Sequence, residues 1–253
     1  MNKFMKAAML ASFLFSMTQP ILAGTWRDDF SNPDTTKWEI FNISDWQQIP
    51  KVDTTKWEIE DGEVYGAQRE FRRQSTFLTG KLTWKNYAVS CRAKFVGEWF
   101  PTVDLGLVLH VRPEEHKRYM FSMHYDEQRA SIVEFSGKIL LDDRILIKMK
   151  PHIFHFDVKS NSWYSLSAAV LNDDQLQFKI ENLDDPDNKA TFNAKTKEPI
   201  KEGGLAGFYV SHAEAVFDDL EIRGDNIPRG GTETFPVEPR GKLSTTWAKL
   251  KSK

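Results

Sequence analysis

The chain has 253 residues, with 34 Lys+Arg against 36 Asp+Glu and a formal charge of −2. That balance excludes the basic excess of a dedicated nucleic-acid binder, and 14 Gly with 11 Pro is too little for a collagen-like or low-complexity chain. A single cysteine, Cys91, excludes an intramolecular disulfide and a cysteine-rich zinc site, while 8 Trp, 6 Tyr and 18 Phe give ample material for one large core.

In chain order, Lys3 and Lys6 precede an apolar stretch, Ala7 to Met17, that Gln19-Pro20 interrupts before Ile21-Leu22-Ala23. This layout predicts a secretory leader over 1–23, cut before Gly24, and hence a periplasmic, extracellular or cell-surface protein. The apolar run falls short of the ~20 residues of a membrane span, and no second run occurs, so the mature protein is expected to have none. The heptapeptide Asp-Thr-Thr-Lys-Trp-Glu-Ile occurs at 34–40 and again at 53–59. Two copies are too few for a repeat architecture and read as a local duplication within adjacent edge segments.

From Trp26 to Ile222 the side chains alternate with period two. Tyr87, Val89, Cys91, Ala93 and Phe95 point one way and Ala88, Ser90, Arg92 and Lys94 the other, the pattern of a half-buried strand. Further strands are predicted over 105–111, 118–125, 131–135, 144–149, 163–171, 175–181, 205–211 and 214–222. Asp61-Gly62 predicts a two-residue hairpin turn, and 172–174 and 113–117 join two other pairs. Many short strands with turns between them predict an all-β sandwich or barrel over 24–223. Glycines and prolines then mark a linker over 224–241. In the basic tail, 242–253, Leu243, Trp247 and Leu250 have helical spacing; the tail either docks on a surface or packs as a short helix on its own domain.

The order of several phrases carries a resemblance. Trp26-Arg-Asp-Asp-Phe30, Trp57-Glu-Ile-Glu-Asp-Gly-Glu-Val64, Thr79-Gly80, Tyr87-Ala-Val-Ser90 and Gly106-Leu-Val-Leu-His-Val-Arg112 are followed by Trp163-Tyr-Ser-Leu166, Gly204-Leu-Ala-Gly207 and Ala215-Val-Phe-Asp-Asp-Leu220. The series resembles the concanavalin A-like jelly roll, in particular the laminin-G-like and 3-keto-disaccharide hydrolase-type domains of secreted bacterial proteins. The resemblance implies a jelly-roll β-sandwich of two antiparallel sheets, each of about six or seven strands. The first strand, Asp28 to Phe30, would pair near Val216 to Asp219, and the concave face of one sheet would take a carbohydrate.

The related family 16 glycoside hydrolases set their carboxyls on one strand as Glu-x-Asp-x-x-Glu. The nearest phrase here, Glu58-Ile-Glu60-Asp61-Gly62-Glu63, is broken by the expected turn, which carries Glu63 to another strand. No catalytic pair is identified. The hairpin 105–125 is the best binding surface. One face of it would present His110, Arg112, Arg118 and His124, with Gly106 leaving an open spot beside His124 and Arg92 nearby. Histidine and arginine suit sugar hydroxyls and carboxylates. Trp99, in the preceding loop, and Tyr125 would stack on a sugar ring. Asp28 and Asp218, on terminal strands expected to meet, are the candidate ligands of a structural calcium; no cofactor is required. The 6 histidines show no zinc motif, and no Gly-x-Ser-x-Gly elbow supports Ser-His-Asp chemistry.

The expectation is therefore a secreted module whose partner is a glycan or glycoconjugate, bound without turnover. The alternatives are a glycoside-active enzyme like the 3-keto-disaccharide hydrolases and a structural or adhesion module at the cell surface.

Overall fold

The computed structural model of the protein describes residues 24–32, 34–44, 55–69, 73–98, 103–141 and 144–231. The expected leader, Trp99 and the basic tail lie outside the described residues.

The first half of the chain forms β1 (Gly24–Asp28), β2 (Trp38–Ser44), β3 (Lys56–Glu60), β4 (Glu63–Ala67), β5 (Arg73–Thr79), β6 (Tyr87–Glu98), β7 (Asp104–Arg112) and β8 (Lys117–His124). The second half forms β9 (Arg129–Leu141), β10 (Arg144–His155), β11 (Tyr164–Leu171), β12 (Gln175–Asn182), β13 (Lys189–Lys195), β14 (Leu205–Ser211), β15 (Ala213–Gly224) and the short β16 (Gly230–Gly231). They build two sheets. A nine-stranded sheet runs β13-β12-β11-β6-β15-β1-β16, with β4 on β15 and β3 on β4; a seven-stranded sheet runs β10-β9-β8-β7-β14-β5-β2. Pairing is antiparallel except between β1 and β16.

Alternation decides which side chains enter the sandwich. Tyr87, Val89, Cys91, Ala93 and Phe95 of β6 are all buried, as their spacing predicts, and meet Leu105, Leu107 and Leu109 of β7. The turns follow their chemistry as well. Asp61 and Gly62 take φ of 52° and 83°, left-handed values that match a two-residue hairpin to strand twist, and Asn172 and Asp173 take 49° and 64° in the three-residue loop between the paired Leu171 and Gln175. The ends of the domain close as expected but in a shifted frame: β1 pairs Asp28 with Leu220 and Gly24 with Gly224.

The duplicated heptapeptide has a structural consequence. Its two copies begin β2 and form β3, each at an edge of a different sheet. Each contributes a tryptophan to the interior, and both stack on Phe77 of β5, Trp38 at 4.5 Å and Trp57 at 5.4 Å between ring centroids. Phe208 and Phe217 continue the stack at 4.5 Å. Trp57 Nε1 also donates to Ser75 Oγ at 2.7 Å, which ties the two edges by a polar contact.

Because Phe77 carries both tryptophans, Phe77→Ala is expected to destabilise the domain by about 3–5 kcal/mol in urea denaturation. A loss below ~1 kcal/mol would remove the stack from its structural role.

Candidate functional site

The outward face of the seven-stranded sheet is divided along its strands. At one end Leu78, Val108, Val111, Met120, Phe135 and Tyr209 form an apolar cluster separate from the main core. At the other end the register pairs Asp104 with His124 and Gly106 with Ser122 across β7 and β8. It pairs Ser122 with Ser131 across β8 and β9, and Tyr209 with Gly106 across β14 and β7. The described strands all belong to the two sheets. The polar side chains of this face are withdrawn from water: Arg118 is 1% exposed, Ser122 1%, Ser131 2%, His124 8% and Asp104 9%.

The Asp104 carboxyl, the serine hydroxyls and His124 Nε2 satisfy one another, as buried polar groups usually do. Tyr209 donates its phenolic hydrogen to Asp104, and Ser211 hydrogen-bonds the same carboxyl. His124 Nε2 lies 2.9 Å from Ser131 Oγ and 3.2 Å from Ser122 Oγ, and the two hydroxyls are 2.8 Å apart. His124 Nδ1 faces Asp104 Oδ2 at 3.9 Å and Glu127 Oε2 at 3.8 Å. The Arg118 guanidinium sits 3.8 Å above the Phe135 ring and donates to Gln74 Oε1 at 3.3 Å. Gln74 is on β5, with β7 and β14 between it and β8. Strands ~4.8 Å apart separate β8 from β5 by roughly 14 Å, so these two side chains lean toward each other over β7 and β14.

Burial also sets the protonation states. It raises the Asp104 carboxyl to about 7 against the hydrogen bonds from Tyr209 and Ser211, and pushes the Tyr209 phenol well above its ordinary value, with the Asp104 charge adding to the effect. Burial, followed by the Arg129 charge, lowers His124 to about 3. The Asp104–His124 pair is therefore held largely uncharged in slightly acidic solution.

His124 and Arg118 belong to this face, as alternation along β8 predicts. Other predicted site residues do not. The register shift between Leu109 and Arg112 is a β-bulge, and His110 within it takes φ of 52°. The bulge turns His110 inward, where it is wholly buried between Tyr87 and Tyr119, with Nδ1 3.1 Å from the Ile200 carbonyl and its acidity raised to about 4 by desolvation. The same bulge places Val108, not His110, opposite Met120. Arg112 pairs with Lys117 and is engaged by Glu115 and the Gly203 carbonyl, at the end of β7 away from Asp104.

Arg92 projects from the nine-stranded sheet, on the opposite side of the sandwich, where Asp218 and Asp219 pair with it and Trp163 lies under its guanidinium at 5.2 Å. Tyr125 turns toward the core, 6.1 Å from Phe95. Gly106 opens no space beside His124, since a Cβ there would stand 1.9 Å from the Phe121 carbonyl oxygen; it permits close strand approach.

Asp28 and Asp218 are not brought together. Asp28 faces the core and accepts from the Phe30 amide at 3.0 Å and Trp38 Nε1 at 3.3 Å, while Asp218 faces outward to Arg92. Among the described residues no group of three His, Cys, Asp or Glu could hold a metal ion. A hollow of about 420 Å³ on the outer face of the nine-stranded sheet is lined by Ser165, Ser167, Lys179, Glu181, Lys189 and Thr191. It is floored by half-buried serines and walled by exposed side chains, with no interlocked buried network like that around Asp104.

Sequence reasoning missed Asp104, Tyr209 and Ser131 as site residues. Asp104 precedes the apolar run that marks β7, and Tyr209 sits inside a strand whose alternate residues all read as core. Ser131 has no motif around it; only the pairing of β8 with β9 brings it to His124.

No protein-family model matches the chain, and no curated protein matches it. Solved structures do. The carbohydrate binding module CBM66 from Bacillus subtilis has a TM-score of 0.50 at 13% identity, over 73% of this chain and 94% of that one. The GH43 protein BlXynB from Bacillus licheniformis has a TM-score of 0.53 at 13% identity, over 78% of this chain and 39% of that one, so this chain spans well under half its length. The GlcNAcα1-4Gal-releasing endo-β-galactosidase from Clostridium perfringens has a TM-score of 0.50 at 12% identity, over 81% and 64%. At these identities the likeness is one of fold, and the fold is a concanavalin A-like jelly roll.

The protonation states give a signed pH dependence. Unfolded, His110 and His124 titrate near 6.5; folded, they titrate near 4 and 3. Below 6.5 the unfolded chain takes up protons that the fold refuses, so both residues cost stability as pH falls from 6.5 toward 4. Asp104 acts oppositely, with a folded value of about 7 above the ordinary 3.8, so it costs stability as pH rises through that window. Urea denaturation should show Asp104→Asn gaining roughly 2–4 kcal/mol on the parent protein between pH 5 and pH 8. A difference that is flat with pH would contradict the buried, protonated carboxyl.

Proposed function

We propose that the outward face of the seven-stranded sheet binds a glycan non-covalently. The observation that carries this reading is the interlocked polar network of Asp104, Tyr209, His124, Ser122 and Ser131 on the outward face of the sheet, with Arg118 farther along the same face of β8 beside Phe135. A saccharide ring presents hydroxyls at its edge and C–H groups on its faces. The polar end of this face supplies acceptors and donors that are already oriented, and the adjoining apolar end, with the exposed Met149 beside Phe135, supplies surface for the ring face, as does the exposed Ile153 beside Ser131. The carbohydrate-binding module and the glycoside-active proteins of the same fold support the reading. Secretion, from the leader-like stretch 1–23, is part of the same proposal.

Screening the protein on a glycan array and titrating the best ligand by calorimetry tests it. His124→Ala and Arg118→Ala should each weaken binding at least ~10-fold, about 1.4 kcal/mol, while Arg112→Ala and Arg92→Ala, remote from the face, leave the affinity within ~2-fold. Equal affinity in all four variants would remove the site from this face.

A further inference from the structure

We propose that Ser131, His124 and Asp104 form a nucleophile–base–carboxyl relay that hydrolyses carboxylic esters on a bound saccharide, a step that rests on the glycan-binding reading above. Three neighbouring strands supply the three side chains, and the register, not a local motif, brings them together. Ser131 Oγ lies 2.9 Å from His124 Nε2, within reach for proton transfer. On the far side of the ring, Nδ1 faces the Asp104 and Glu127 carboxyls at 3.9 and 3.8 Å. These contacts are longer than hydrogen bonds, as catalytic contacts often are before substrate closes a site. Tyr209 donates to Asp104 Oδ2, the same oxygen that faces Nδ1, and so fixes the orientation of the carboxyl.

The polarity of the network fits one direction of proton flow. With the imidazole proton on Nδ1, toward the carboxyls, Nε2 accepts from the Ser131 hydroxyl, and Ser131 accepts from Ser122. Ser122 is then a hydroxyl donor 2.8 Å from the nucleophile, able to turn to the carbonyl oxygen of a substrate as it gains charge. The ionisable groups facing His124 are Asp104 from β7, Glu127 from the turn after β8 and Arg129 from β9, and Arg129 is ion-paired with Glu127. Burial keeps the imidazole neutral but lowers its basicity to about 3, so the relay depends on the Asp104 charge to raise it toward the working pH. When Asp104 ionises, its charge offsets that of the imidazolium formed in the reaction. Such a relay is recognised by geometry and roles on unrelated folds, without a nucleophile elbow.

The step balances with water as co-reactant. Ser131 Oγ attacks the ester carbonyl carbon of an O-acyl saccharide, and its proton passes to His124 Nε2. The C–O bond to the sugar breaks, Nε2 returns the proton to the departing sugar oxygen, and the acyl group stays on Ser131. Water then attacks the acyl carbon, giving a proton to Nε2. The bond to Ser131 Oγ breaks, the serine regains the proton, and a carboxylic acid leaves.

The full chain is assayed on 4-nitrophenyl acetate and acetylated cellobiose, and labelled with a fluorophosphonate probe whose site is mapped by mass spectrometry. Expected are hydrolysis with a rate rising as pH passes about 7, where Asp104 ionises, and label on the peptide containing Ser131. Ser131→Ala and His124→Gln should each lower kcat on the order of 10³-fold, with the double variant no worse than either alone. The label reads the parent protein directly, so a variant that fails to fold does not decide the outcome. A parent protein that binds glycan but neither hydrolyses ester nor takes the label overturns the relay and leaves the glycan reading standing. Hydrolysis that survives both substitutions also overturns it. Absence of glycan binding by the parent protein removes the reading on which the relay rests.

Discussion

A carboxyl, an imidazole and several hydroxyls withdrawn from water must satisfy one another or be lost, and this constraint governs one face of the molecule. Leaving a buried donor or acceptor unmade costs about 1–3 kcal/mol, more than a typical hydrogen bond contributes. Asp104 accordingly keeps two hydroxyl donors, Tyr209 and Ser211, and His124 keeps two hydroxyls, Ser131 and Ser122. Each group is on a different strand from at least one partner, so the network exists only in the correct register. A slip of one residue would turn every member to the other side of the sheet.

The register is held from behind. Inward of the polar face, Leu105, Leu107 and Leu109 of β7 alternate with the site residues and pack against β6. The edges are tied by the duplicated heptapeptide, whose two tryptophans clamp Phe77 from opposite sheets. Phe77 adjoins Thr76 and Leu78, which point to the outward face, and β5 also carries Gln74 to Arg118. Aromatic packing in the interior thus positions polar groups on the exterior by nothing more than strand alternation.

Much of this is legible in the amino-acid order because period-two alternation is a strong local signal. It separates core from exterior along β6, places Arg118 and His124 on one face of β8, and marks the Asp61-Gly62 turn. Three things escape it. The bulge that turns His110 inward depends on the packing of Tyr87 and Tyr119, which come from distant positions. Alternation shows that Arg92 points outward but not that β6 belongs to the other sheet. The meeting of Asp104, Tyr209 and Ser131 requires the strand order β9-β8-β7-β14, a non-local fact. The expected calcium pair fails for the same reason: the terminal strands do meet, but a bulge in β15 and the inward turn of Asp28 send the two carboxyls to opposite faces.

The account stands on saccharide lying across the outward face of the seven-stranded sheet. A crystal structure of the protein soaked with its best array ligand tests this most directly. The account predicts a sugar ring over β7, β8 and β9, with hydroxyls within hydrogen-bond distance of His124 and Arg118. A sugar seated instead in the hollow beside Ser165 and Ser167, on the other sheet, would contradict it.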